Sequence, residues 1–171
     1  MKRRIFCLAI VVMMMAAMCA CSSKSSADIN VEAFPKFTSI DLEGNEVSSD
    51  IFANADVTVV NIWGTYCNPC INEMPELAKW AEEMPDNVQI IGIAADVRDK
   101  DSKEYALAQD IVKEAGVKYT NIIENEELDD VVLQIVGVPT TFFVDKEGNV
   151  IAEPVTGAYV DTYKERLESV L

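Results

Sequence analysis

The sequence predicts an α/β fold in which helices flank a central mixed sheet, with an added β-hairpin at the N-terminal end. Three observations carry this expectation. Two β-branched apolar runs, "DVTVVNIW" (56–63) and "VQIIGIAA" (88–95), lack polar alternation, as strands buried on both faces do. A helical segment follows each, over about residues 68–84 and 102–116, so strand and helix alternate and the two strands should run parallel. Later, "TTFFVDKEGNVIAEPV" (140–155) turns at "DKEGN", a hairpin that would add antiparallel edge strands.

The remaining elements follow in order. "FPKFTSIDLEGNEVSS" (34–49) alternates apolar and polar residues until "EGN" breaks it, which places the leading hairpin at about Lys36–Val47. In "SKEYALAQDIVKEAG" (102–116), Tyr105, Leu107, Ile111, Val112 and Ala115 fall near helical spacing and Gly116 closes the helix. "EELDDVVLQIVG" (126–137) reads as a shorter helix ending at Gly137, its acidic start complementing the helix dipole. "YVDTYKERLESVL" (159–171) is a final helix with Asp161 as cap and Tyr163, Leu167, Val170 and Leu171 facing inward. The chain has 171 residues, half of them hydrophobic, which suffices for one domain with its own core.

The first residues belong to a different regime. "MKRR" is a basic start, and Ile5 to Ala20 is an unbroken apolar run, shorter than the roughly 20 residues of a spanning helix and ending in small residues. Residues 1–20 are therefore expected to be an export signal, with an uncleaved N-terminal anchor as the alternative. Either places the domain outside the cytoplasm, since Lys2, Arg3 and Arg4 stay inside. "MCAC" followed by "SSKSSAD" resembles a bacterial lipobox, with Met18 standing where leucine is usual. The resemblance implies cleavage before Cys21 and a lipid on that thiol. Residues 21–33 then form a polar, lipidated linker, and 34–171 the globular domain.

Charge and thiols change with the signal removed. The whole chain carries −15, and losing Lys2, Arg3 and Arg4 leaves eleven basic against 29 acidic residues, a net −18. Such a surface repels nucleic acid and anionic headgroups, so no nucleic-acid partner is expected; plain solubility accounts for the same charge. Of five cysteines, only Cys21, Cys67 and Cys70 remain. In an oxidising compartment the close pair is a disulfide unless something keeps it reduced.

That pair sits in "NIWGTYCNPCINEMPEL" (61–77). A zinc site needs four ligands, and the chain offers two cysteines and no histidine, with no carboxylate at useful spacing, so neither metal nor cofactor is expected. Closing so short a loop adds little stability. Redox chemistry has a mechanism. Cys67 falls where a buried strand hands over to a helix, and orphan N–H groups with the helix dipole favour a thiolate there. Cys67 would attack a disulfide, and Cys70, one turn further in and more shielded, would resolve the mixed disulfide. Pro69 is tolerated in the first turn, where its missing N–H has no helical partner.

These residues resemble the thioredoxin-like superfamily, and within it the membrane-tethered oxidoreductases of the TlpA/ResA type. "WGTYCNPC" is similar to W-x-x-x-C-x-P-C, with Trp63 four residues before Cys67. "NEMPEL" resembles the E-x-P that follows, giving Glu73 and Pro75, the proline bending the helix. "GVPTTFFVDKEGNV" is similar to the cis-proline segment, and "TGAY" to the late glycine, Gly157, that lets backbone approach the site. The resemblance implies a thioredoxin-like fold, Pro139 in a loop facing the sulfurs, and Val138 pairing its backbone with a bound partner. Proline is the residue for which a cis bond costs little, about 0.5–1 kcal/mol. Trp63 and Tyr66 are expected as packing and rim contacts of Cys67, and Trp80 as core.

Two departures stand out. Asn61 occupies the place where many thioredoxins carry a buried acid, and an amide cannot shuttle a proton. The resembled group uses a glutamate after the second core strand; in "GIAADVRDK" (92–100) the nearest candidate for a proton relay is Asp96, one residue out of register. A solvated strand-end carboxylate is the other reading of Asp96. The resemblance further implies reduction of disulfides in exported client proteins, such as haem-binding C-x-x-C sites awaiting cytochrome c maturation or oxidised methionine-repair enzymes, with electrons from a membrane thiol carrier. The rivals are a disulfide-donating oxidase, which the uncharged "NP" between the cysteines disfavours, a peroxiredoxin-like peroxidase, whose P-x-x-x-T-x-x-C pattern is missing before Cys67, and an adaptor with idle thiols.

Overall fold

The alternation of strands and helices is realised in residues 29–171, which the computed structural model describes. The leader, Cys21 and most of the linker lie outside those residues. β1 (Thr38–Ile40) and β2 (Glu46–Ser48) make the leading hairpin, followed by a 3-10 helix (Ser49–Asn54) capped by Ser48. Then come β3 (Val57–Trp63), α1 (Asn68–Glu83), β4 (Val88–Ala94), α2 (Lys103–Glu114), β5 (Asn121–Ile123), α3 (Asp129–Val132), β6 (Thr140–Asp145), β7 (Val155–Thr156) and α4 (Val160–Glu168). The main sheet has the order β5-β4-β3-β6-β7, with β3, β4 and β5 parallel and β6 and β7 antiparallel.

All seven residues of β3 are buried, which explains why its sequence does not alternate. The pleat still sorts them. Val57 and Val59 pack under Leu77 and Trp80 of α1 and under Val160, Tyr163 and Leu167 of α4. Trp63 and Ala94 continue that face beneath Met74 of α1 and Tyr105 and Ala108 of α2. Val60, Ile62, Ile91, Ile93, Phe142 and Val144 face the opposite layer, built from Phe34, Phe37, Phe52, Leu128 and Val131. The three longer helices thus share one face, and the other is closed by the N-terminal segment, the 3-10 helix and α3.

Several expectations need correction. The chain joins the domain before residue 34: Val31 is buried, Ala33 bridges Asn149, and Glu32 accepts from the Val150 amide. Val31 is drawn into the core as an apolar side chain, and the bridge at Ala33 fixes the backbone beside it. β5 was not expected; three residues give no readable period, and pairing with Gly92–Ala94 makes them a strand. The segment 126–137 yields only the four residues of α3, leaving Leu133 and Val136 exposed. After "DKEGN" the chain makes a bridge at Val150 and rejoins β6 only at β7, with Pro154, which lacks an N–H, in between. Leu107 and Leu171 are exposed, with Ala108 taking the inward place on α2. Asp161 lies in the first turn of α4 without capping it.

Phe34 meets Phe52 and Phe142 edge-on, with ring centroids 5.6 and 5.4 Å apart. Replacing Phe34 by Ala should cost about 3–5 kcal/mol, seen as a lower denaturant midpoint at unchanged slope. An effect below about 0.5 kcal/mol would mean the segment only lies on the surface.

Candidate active site

β3 ends at Trp63, and four residues later Cys67 starts α1 as its N-cap, accepting a hydrogen bond from the Cys70 amide at 3.2 Å. No acidic residue occupies the first turn, so the positive end of the helix is left unopposed beside the sulfur. Cys67 and Cys70 are joined as a disulfide, their Cα atoms 5.3 Å apart. Cys70 is fully enclosed, whereas Cys67 keeps 6% of its surface open. The structure places Val138 and Pro139 directly against this pair: Cys67 Sγ lies 3.5 Å from the Val138 carbonyl oxygen, and the Val138–Pro139 bond is cis.

Trp63 and Tyr66 part company. Tyr66 is 71% exposed and stands at the rim beside Cys67. Trp63 is fully enclosed in the cluster that holds both cysteines, and its indole N–H donates to Asn121 Oδ1 at 2.9 Å. A partner cannot reach Trp63, which packs against the cysteines from beneath. Asp96 accepts from the amide (2.9 Å) and the hydroxyl of Thr65, tying down the loop two residues before Cys67.

The titratable group that the structure singles out is Glu73, read from the sequence only as part of E-x-P. It lies one turn after Cys70 on α1, and residues three apart share a helix face. Its carboxyl is buried, 6% exposed. Asn61 Nδ2 donates to Glu73 Oε1 and to Thr141 Oγ1, both at 3.0 Å, and the Tyr163 hydroxyl lies 3.1 Å from Glu73 Oε2. Loss of solvation pushes the carboxyl up to about 7, against the opposing hydrogen bonds of Asn61 and Tyr163, with neighbouring Glu76 adding to the rise. The buried acid sought on β3 at Asn61 therefore sits on the facing helix, with Asn61 as its hydrogen-bond donor. A readable sign existed: Glu73 interrupts the apolar stripe of Cys70, Met74, Leu77 and Trp80. Among the described residues, no cluster of three or more His, Cys, Asp or Glu is placed to hold a metal ion.

A C-x-x-C at a strand-to-helix junction, closed over by a cis-proline loop, is the arrangement of thioredoxin-fold thiol-disulfide oxidoreductases, and this chain is one. Residues 31–153 match the AhpC/TSA family, to which the chain belongs. It is 32% identical to the thiol-disulfide oxidoreductase ResA of Bacillus cereus over 151 residues, covering 88% of this chain and 80% of that one. The thiol:disulfide interchange protein DsbE of Haemophilus influenzae is 31% identical over 62% of this chain and 54% of its own. Among solved structures, the thioredoxin domain of a thiol-disulfide oxidoreductase from Bacteroides vulgatus superposes with a TM-score of 0.61 at 27% identity, covering 78% of this chain and 95% of that one.

Because folding raises the Glu73 value from 4.5 to about 7, the folded state binds the extra proton between those limits. The stabilisation is complete below about 4.5 and is lost as the pH rises through about 7, a fall of about 3 kcal/mol. Glu73→Gln, which mimics the neutral acid, should flatten that slope in denaturation curves across the same window. A variant that keeps the wild-type slope would assign the titration to another group.

Proposed function

We propose that this oxidoreductase works outside the cytoplasm, tethered by lipid on Cys21, and reduces disulfides of exported client proteins. The observation that carries the mechanism is the asymmetry of the pair: one sulfur at a helix N-terminus with part of its surface open, the other fully enclosed, with a buried acid one turn behind it. In the reduced protein the Cys67 thiolate attacks one sulfur of a client disulfide. A Cys67–client bond forms, the client S–S bond breaks, and the second client sulfur leaves as thiolate. Val138 and Pro139 hold the client chain beside Cys67, and Tyr66 contacts it at the rim. Cys70 then gives its proton to Glu73 and attacks Cys67 Sγ, releasing the client dithiol and leaving the Cys67–Cys70 disulfide. Two electrons have passed to the client, and a membrane thiol donor restores the pair.

At a value of about 7, Glu73 is populated in both forms near neutral pH, as an acid–base group must be. Glu73 thus takes the relay role first expected of Asp96, whose two oxygens are engaged by Thr65. The absence of a cation between the cysteines supports reduction over oxidation, since a strong oxidant needs a more heavily stabilised thiolate. Candidate clients are C-x-x-C sites awaiting cytochrome c maturation and oxidised repair enzymes. In cell fractionation, Cys21→Ser should move the protein from the membrane to the soluble exported fraction.

The deciding measurement is the Cys67/Cys70 reduction potential by equilibration with dithiol buffers. A value near or below about −270 mV is expected of a reductase fed from the membrane. A value near about −120 mV would reverse the direction of electron flow.

A further inference from the structure

We propose that Tyr163 is a positioning residue of thiol-disulfide exchange, its hydroxyl linking the carboxyl of Glu73 to the loop that carries Val138 and Pro139. This rests on the reading of Glu73 as proton acceptor for Cys70. The Tyr163 hydroxyl has one hydrogen, yet two acceptors lie within reach: Glu73 Oε2 at 3.1 Å and the Gly157 carbonyl oxygen. Asn61 has already spent both amide hydrogens, on Glu73 Oε1 and Thr141 Oγ1.

The Gly157 carbonyl also accepts from the Tyr159 amide at 3.0 Å, so the Tyr163 hydrogen is its second bond, and only a protonated Glu73 lets it keep both. Protonated Glu73 donates to the Tyr163 oxygen, and Tyr163 donates onward to Gly157. When Glu73 is ionised, the single hydrogen of Tyr163 is drawn to the carboxylate and the Gly157 carbonyl loses it. Gly157 in turn holds the client-facing loop, because its N–H donates to the Pro139 carbonyl at 2.8 Å. Its φ of +102° and the Tyr159 ring, 2.5 Å from where a Cβ would sit, fix this position as glycine. The proton that leaves Cys70 is therefore registered at the loop. Ionised Glu73 leaves Gly157 held by its backbone bonds alone while a client enters, and protonated Glu73 returns the Tyr163 bond when Cys70 attacks.

The surroundings leave this control to Tyr163. Glu76, next to Glu73 on α1, is paired with Lys164 of α4 at 2.8 Å, and Lys164 also lies 3.9 Å from Asp161. Tyr119, ahead of β5, is held protonated by burial and by the charge of Glu73. β3 and β6 present the neutral Asn61 and Thr141. Tyr163 is itself held protonated by burial and by Glu73, so it acts as a hydrogen donor and not as a second base.

The test uses purified full-length protein in detergent, with a synthetic peptide bearing one C-x-x-C disulfide as probe, and follows single-turnover reduction over roughly pH 5–9. Glu73→Gln should abolish the inflection due to Glu73. Tyr163→Phe, which keeps the ring in the core, should move that inflection up by roughly half to one pH unit, because the ionised carboxyl has lost a donor. Alkylation of reduced Cys67 by iodoacetamide should keep its wild-type rate, and adding Tyr163→Phe to Glu73→Gln should leave the pH profile of Glu73→Gln unchanged. An inflection does not depend on the amount of folded protein, so partial unfolding cannot mimic the shift. If Glu73→Gln removes the inflection but Tyr163→Phe leaves it in place, the Tyr163 proposal is overturned while the role of Glu73 stands. If Glu73→Gln retains the wild-type profile, both fall.

Discussion

The antiparallel ladder between β3 and β6 is the constraint on which the site depends. Its register sets Asn61 opposite Thr141 and Ile62 opposite Thr140. β3 leads directly into the cysteines, while β6 is entered directly from Val138 and Pro139, so pairing the two strands brings the disulfide and the cis-proline loop together. A slip of one residue would turn Thr141 to the opposite face and take away the partner that orients Asn61. The backbone thus does the coarse positioning, and the side chains of Asn61 and Thr141 finish it.

Beneath the disulfide the same strands carry a polar group that an interior ordinarily rejects. A carboxyl among aliphatic side chains is tolerated because it is neutral part of the time and because its hydrogen bonds are met. Among the described residues, no buried side-chain nitrogen or oxygen lacks a partner. A leucine at position 73 would suit the core better and leave Asn61 with a hydrogen to place. Keeping the acid sacrifices stability around neutral pH, where the exchange reaction needs a group able to take and return a proton.

Much of this was legible in the sequence, for particular reasons. The unbroken apolar runs of β3 and β4 read as central strands, the place of Cys67 and Cys70 follows from the strand-to-helix junction around them, and that of Pro139 was implied by the family resemblance of its segment. β5 was hidden because three residues hold no period and draw their conformation from a neighbour. α3 was overdrawn because Leu133, Ile135 and Val136 promise a buried face that tertiary packing does not supply for all of them. Glu73 and Tyr163 were seen, one as motif and one as core, but not as a pair. They are 90 residues apart, and only the fold brings α4 back over α1. Asn61 could be recognised as the lack of an acid, yet where the acid had moved was a question for three dimensions.

The leading hairpin has an equally distant set of partners. Leu42 donates to the Asn121 carbonyl, Ser39 to that of Ile123, and Thr38 is bound from both sides by Asn125 and Glu127. These contacts cover the outer edge of β5, where an open strand would otherwise invite another chain. A chain delivered N-terminus first carries this cover long before there is an edge to protect. Until residue 127 has emerged, the hairpin has no seat, and loop closure over more than 80 residues falls on its docking. A segment that emerges early is thus seated only after most of the chain has followed it.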